Sequence, residues 1–142
     1  MNKTYIDTLK EEFDALKDSG KEFDRELLYF PDMVKLLCDL MEDEYVDKES
    51  RLLINVALGY LLIPNDVVPE EVYGVYGYLD DMYVSCVVLA TLKQRYMDLI
   101  LKLWNNDESF EKVLDLCTYK SEKFLDEKDL KSKLLRFCGL SD

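Results

Sequence analysis

Five carboxylates and five phenols crowd a stretch of this chain that contains no base. Between Arg51 and Lys93 the acids are Asp66, Glu70, Glu71, Asp80 and Asp81, and the tyrosines are Tyr60, Tyr73, Tyr76, Tyr78 and Tyr83. Oxygen donors of this kind suit hard divalent cations, and Asp66, Asp80 and Asp81 would supply three carboxylates to Mg2+, Ca2+ or Mn2+. Paired carboxylates also do general acid–base chemistry. Against both, the stretch has no EF-hand spacing and no Glu-x-x-His helix pair, and nothing else marks a substrate pocket. Tyrosines beside acids fit a protein-binding surface as well, because tyrosine is enriched at interfaces.

The missing residue types narrow the chemistry further. There is no histidine among the 142 residues. Ser-His-Asp and Cys-His catalysis, Cys/His zinc sites and histidine pH switches are therefore excluded. Cys38, Cys86, Cys117 and Cys138 form no Cys-x-x-Cys pair and each sits among apolar residues. They read as buried free thiols of a reducing compartment.

Charge excludes two partners. With 30 acids against 18 bases the formal charge is -12. Nucleic acid needs a basic footprint to displace counterions, and an anionic membrane surface would repel this chain. The excess is concentrated at the front, where residues 1–50 hold 15 acids and 7 bases. Such a face is either simply solvated or a surface for a basic partner.

The elements that position these residues read as helices. Apolar residues make up 49% of the chain, and 5 glycines and 3 prolines leave long uninterrupted segments. That is core enough for one all-α domain, a bundle of six or seven helices over residues 1–142 around an apolar helical hairpin at 52–92. Helical spacing of Ile6, Leu9, Phe13 and Leu16 predicts a first helix over 4–18, started by Thr4 and Asp7 and closed by Ser19-Gly20. A short helical piece around Leu27 and Leu28 follows, then a helix from Pro31 through Met33, Leu37, Leu40 and Met41. Asp47 caps the next helix, which is apolar on all sides from Leu52 to Ile63 and so is expected at the centre of the fold. Asp80 or Asp81 caps a long helix running to about Trp104. Asn106 caps one carrying Phe110, Val113, Leu114 and Cys117. A last helix starts near Asp126 and ends at Gly139. No segment alternates with a period of two for long enough to make a sheet.

The longest apolar run, Leu52 to Ile63, falls short of the roughly 20 residues a membrane span needs. The start Met1-Asn2-Lys3-Thr4-Tyr5 opens an amphipathic pattern and not a signal peptide, so the expected location is the cytoplasm.

The order of residues in the hairpin is itself distinctive. Gly59-Tyr60-Leu61-Leu62 leads to Pro64, Asp66 and Pro69, and Gly77-Tyr78-Leu79-Asp80-Asp81 opens the second helix. This pattern, over residues 55–88, resembles the YkvA-like family of small helical domains of unknown function. The resemblance implies a helical hairpin with a proline-bearing turn, and no activity. The chain departs from the family pattern in the loop, with Glu70-Glu71 in place of an Asp and an apolar residue, one proline fewer, and one extra residue between Pro69 and Gly77.

Every motif residue also has a structural use. Pro64 stops the incoming helix, Asp66 accepts N–H groups of a turn towards Pro69, Gly77 permits a positive φ, and an aspartate caps. The expected function is thus a non-enzymatic, acidic helical module that binds another protein, with Tyr60, Asp66, Glu70, Glu71, Tyr78, Asp80 and Asp81 as candidate binding residues. Two alternatives remain open. One is an immunity protein, antitoxin or nucleic-acid mimic that blocks a basic protein. The other is a carboxylate enzyme using a divalent metal at Asp66, Asp80 and Asp81.

Overall fold

A computed structural model describes residues 3–18, 25–61 and 78–140. Among these residues there are six α-helices, one 3-10 turn and no strand. The helices are α1 (Lys3–Asp18), α2 (Phe30–Glu42), α3 (Lys48–Leu61), α4 (Leu79–Leu103), α5 (Phe110–Glu127) and α6 (Lys131–Phe137), with the 3-10 turn at Arg25–Tyr29 leading into α2. The all-α bundle read from the sequence is the observed architecture.

The centre of the bundle is α4. It packs against α2, α3 and α5. Every residue from Tyr78 to Cys86 is buried. This corrects the expectation that α3 is central. Although its sequence is apolar on all sides, α3 buries only Ser50, Ile54, Ala57, Leu58 and Tyr60, and it exposes Leu52, Asn55 and Gly59 along its outer side. An apolar surround permits central placement; packing decides it, and α4 packs against α2, α3 and α5 at once.

The cap assignments divide. Asp47 does cap α3, its Oδ1 accepting the Ser50 N–H at 2.7 Å. Arg95 meets the same carboxylate at 2.6 Å, and the Tyr96 hydroxyl accepts the Asp47 N–H at 3.0 Å. Neighbouring residues on a straight helix diverge by about 100°. Here α4 breaks helical geometry at Tyr96 (φ -121°, ψ 26°), where Arg95 and Tyr96 converge on one partner. Asn106 does not cap α5. The cap is Ser109, whose hydroxyl accepts the Lys112 N–H at 3.1 Å, while Asn106 donates to Asp32 of α2 at 2.8 Å. Thr4 is no cap either, since α1 already starts at Lys3.

The C-terminal region also differs from expectation. Asp126 lies inside α5, which continues to Glu127 and ends in a reversal with Asp129 at φ 56°. The Leu130 N–H reaches the Leu125 carbonyl at 2.9 Å and the Asp129 N–H reaches Asp126 at 3.1 Å, the paired bonds of a Schellman ending. α6 ends the same way on Gly139 (φ 71°), as its glycine foretold.

Candidate functional site

Asp80 and Asp81 sit in the first turn of α4, inside the protein at 0% and 2% exposure. Neither is the N-cap. That position belongs to Tyr78, which makes no side-chain cap bond. Asp80 instead uses its two oxygens on different partners. Its Oδ2 accepts the Tyr60 hydroxyl at 2.5 Å and its Oδ1 accepts the Asp81 N–H at 2.9 Å. A carboxylate near a helix N-terminus is also stabilised by the helix dipole. Charge-assisted bonds of this kind are what permit a buried acid.

The other tyrosines of this region repeat the pattern. Tyr78 donates to the Glu12 carboxylate of α1 at 3.0 and 3.1 Å, and its ring packs with Phe13 and Phe30 at 5.3 and 5.8 Å. Tyr83 donates to Glu122 of α5 at 3.3 Å. Burial, and then the Glu122 charge, raise the Tyr83 phenol above its ordinary value, so it stays a donor. Three phenol–carboxylate bonds thus join the first turns of α4 to α3, α1 and α5. The crowding of tyrosines and acids in the sequence is, at these positions, a set of cross-braces.

Of the candidate residues, Tyr60, Tyr78, Asp80 and Asp81 are brought together around this turn, and all four are buried. Pro64, Asp66, Pro69, Glu70, Glu71 and Gly77 lie outside the described residues, as does the cation reading that needs Asp66 beside Asp80 and Asp81. Among the described residues no group of three His, Cys, Asp or Glu is arranged to hold a metal ion.

The cysteines among these residues are free. Burial pushes the Cys86 thiol up to about 12 and holds Cys117 and Cys38 high as well. At Cys138 burial, followed by the Asp80 and Asp81 charges, raises the thiol to about 11. None has the lowered pKa of a nucleophilic cysteine.

The structure also shows a residue the sequence reading passed over. Tyr45, in the turn between α2 and α3, is 79% exposed among Glu42, Asp43, Glu44, Asp47 and Glu49. The signal was present: an aromatic residue in a short, strongly acidic segment with no helical stripe to join.

Comparison with known proteins agrees with the hairpin pattern. Residues 50–85 match the protein family of unknown function DUF1232. An uncharacterized protein, ORF9 of Methanothermobacter thermautotrophicus, is 33% identical over 113 residues, covering 79% of this chain and 76% of that protein. The chain belongs to the DUF1232 family. This is the YkvA-like family that the hairpin residues resemble, and its role is unknown. A shorter likeness, 39% over 44 residues, joins the chain to the E3 ubiquitin-protein ligase RNF170 of Xenopus tropicalis, covering 31% of this DUF1232 chain and 17% of the ligase. No solved structure matches. No helix of the described residues is long and apolar enough to cross a membrane.

Proposed function

We propose that this DUF1232 chain is a non-enzymatic module that binds a basic protein through the acidic surface around the α2–α3 turn. The supporting observation is Tyr45, 79% exposed and bracketed by Glu42, Asp43, Glu44 and Glu49. An exposed tyrosine supplies contact area at little entropic cost, and the acids around it steer a cationic partner and reject anionic ones. The buried neck of the hairpin takes a bracing role in this reading, since its phenols are bonded to the carboxylates of Asp80, Glu12 and Glu122. A cytoplasmic location accompanies the proposal, supported by the free thiols.

Affinity capture on the immobilised chain at low salt, followed by elution along a salt gradient, tests the reading. A basic protein should be retained, released by salt, and lost from Tyr45→Ala and Glu44→Lys chains that melt like the wild type. Retention that is indifferent to salt and to both substitutions would overturn it.

A further inference from the structure

We infer that the cleft between Tyr45 and the break in α4 receives an apolar side chain of the basic partner, so that the partner's segment is cationic and apolar together. The inference rests on the proposed function and extends its surface from the α2–α3 turn onto α4.

The cleft has a structural origin. No proline, glycine or serine lies in residues 93–99, so the break at Tyr96 does not come from the α4 sequence itself. It falls where α4 is held from outside. Arg95 pairs with the Asp47 carboxylate at 2.6 Å, and the Tyr96 hydroxyl accepts the Asp47 N–H at 3.0 Å. The turn is tied from α3 as well, since Arg51 donates to the Asp43 carbonyl at 2.6 Å. Asp43 Oδ1 in turn accepts the Tyr45 N–H at 2.9 Å. The turn that carries Tyr45 is thus fixed to α4, and between them lies an open cleft of about 360 Å³. A space already formed in the free protein costs a partner little ordering.

Its lining decides what enters. Tyr45, Tyr96, Met97 and Leu99 line the cleft, and the last three also pack on the core. Two bases line it too, but each is already in an ion pair, Lys93 with Glu111 at 3.1 Å and Arg95 with Asp47. An anionic ligand would have to break those pairs. The uncommitted charge has the opposite sign. Glu44, next to Tyr45, and Asp98, in the lining, are exposed and in no ion pair among the described residues. Apolar walls with free carboxylates beside them complement an apolar side chain flanked by lysines or arginines.

Two capped pentapeptides, Lys-Lys-Leu-Lys-Lys and Lys-Lys-Ser-Lys-Lys, titrated into the 15N-labelled full chain and followed by NMR, make the test. Both should shift the Glu44 and Tyr45 amides. Only the leucine peptide should also shift Met97 and Leu99, and it should bind about 10-fold more tightly. In a Tyr45→Ala chain that melts like the wild type, the two affinities should come together. Equal affinities in the wild type, or Met97 and Leu99 amides that stay in place, would overturn the inference while binding at the turn leaves the proposed function standing. Failure of both peptides to bind would overturn both.

Discussion

The Tyr60 hydroxyl donates to Asp80 Oδ2 at 2.5 Å, linking α3 to the first turn of α4 inside the core. Both residues are at most 2% exposed, so the bond has no competing water. Removing the donor leaves part of a buried acceptor unsatisfied, which costs more than the bond itself contributes. Tyr60→Phe keeps the ring and removes only the hydroxyl. Urea unfolding should show a loss of about 2 kcal/mol. A loss under about 0.5 kcal/mol would mean that the bond carries little of the junction.

Asp47 gives a prediction in pH. The Ser50 backbone and hydroxyl bonds, with smaller help from Tyr96 and Arg95, hold its carboxyl below the usual 3.8. A group lowered on folding contributes stability that is complete above its unfolded value and disappears as pH falls through the folded one. Asp47→Asn keeps a capping oxygen without the charge. Melting temperatures of wild type and variant should therefore differ at pH 7 and converge below about pH 4. A gap that stays constant on acidification would assign the effect to geometry and not to charge.

The two Schellman endings predict opposite signs at equivalent positions. At Asp129 a side chain stands where glycine is favoured, whereas Gly139 already is glycine. Relief of the left-handed strain, about 1–2 kcal/mol, outweighs the entropy that glycine adds to the unfolded chain. Asp129→Gly should stabilise by up to about 1 kcal/mol, and Gly139→Ala should destabilise by about the same amount. Space is no obstacle at Gly139, where an added Cβ meets nothing within 4 Å, so its cost is conformational. Chemical denaturation of the pair decides the matter, and equal signs would refute the assignment.

Thiol reactivity should follow the raised pKa values. With Cys138 near 11 against an ordinary 9.0, its thiolate fraction at pH 8 is reduced about 100-fold. Alkylation by iodoacetamide, located by mass spectrometry, should find Cys138 slow and Cys86, near 12, slower. Cys138 labelling as fast as a free cysteine would contradict the burial that chiefly raises its pKa.

Local information in the sequence determined most of the elements. Helical spacing of apolar residues gave α1, α2, α4 and α5, Asp47 marked the start of α3, and Gly139 marked the end of α6. Those signals are legible because they act within one or two turns. The family pattern at residues 55–88 located the hairpin. The tertiary structure decided the rest. Apolar sequence could not choose between α3 and α4 for the centre, because burial depends on what packs against a helix and not on its own composition. The reversal at Asp129 leaves no local mark, because aspartate takes a left-handed φ far less readily than glycine, and apolar spacing alone does not separate Asp126 from the helix that starts at Lys131. Most tellingly, the tyrosines and acids of the hairpin pointed by type to a surface or a cation site. Three of those tyrosines are instead bonded to carboxylates, those of Asp80, Glu12 and Glu122, at separations of 20, 66 and 39 residues. Pairing across such distances is set by the packing of whole helices, and no local spacing encodes it.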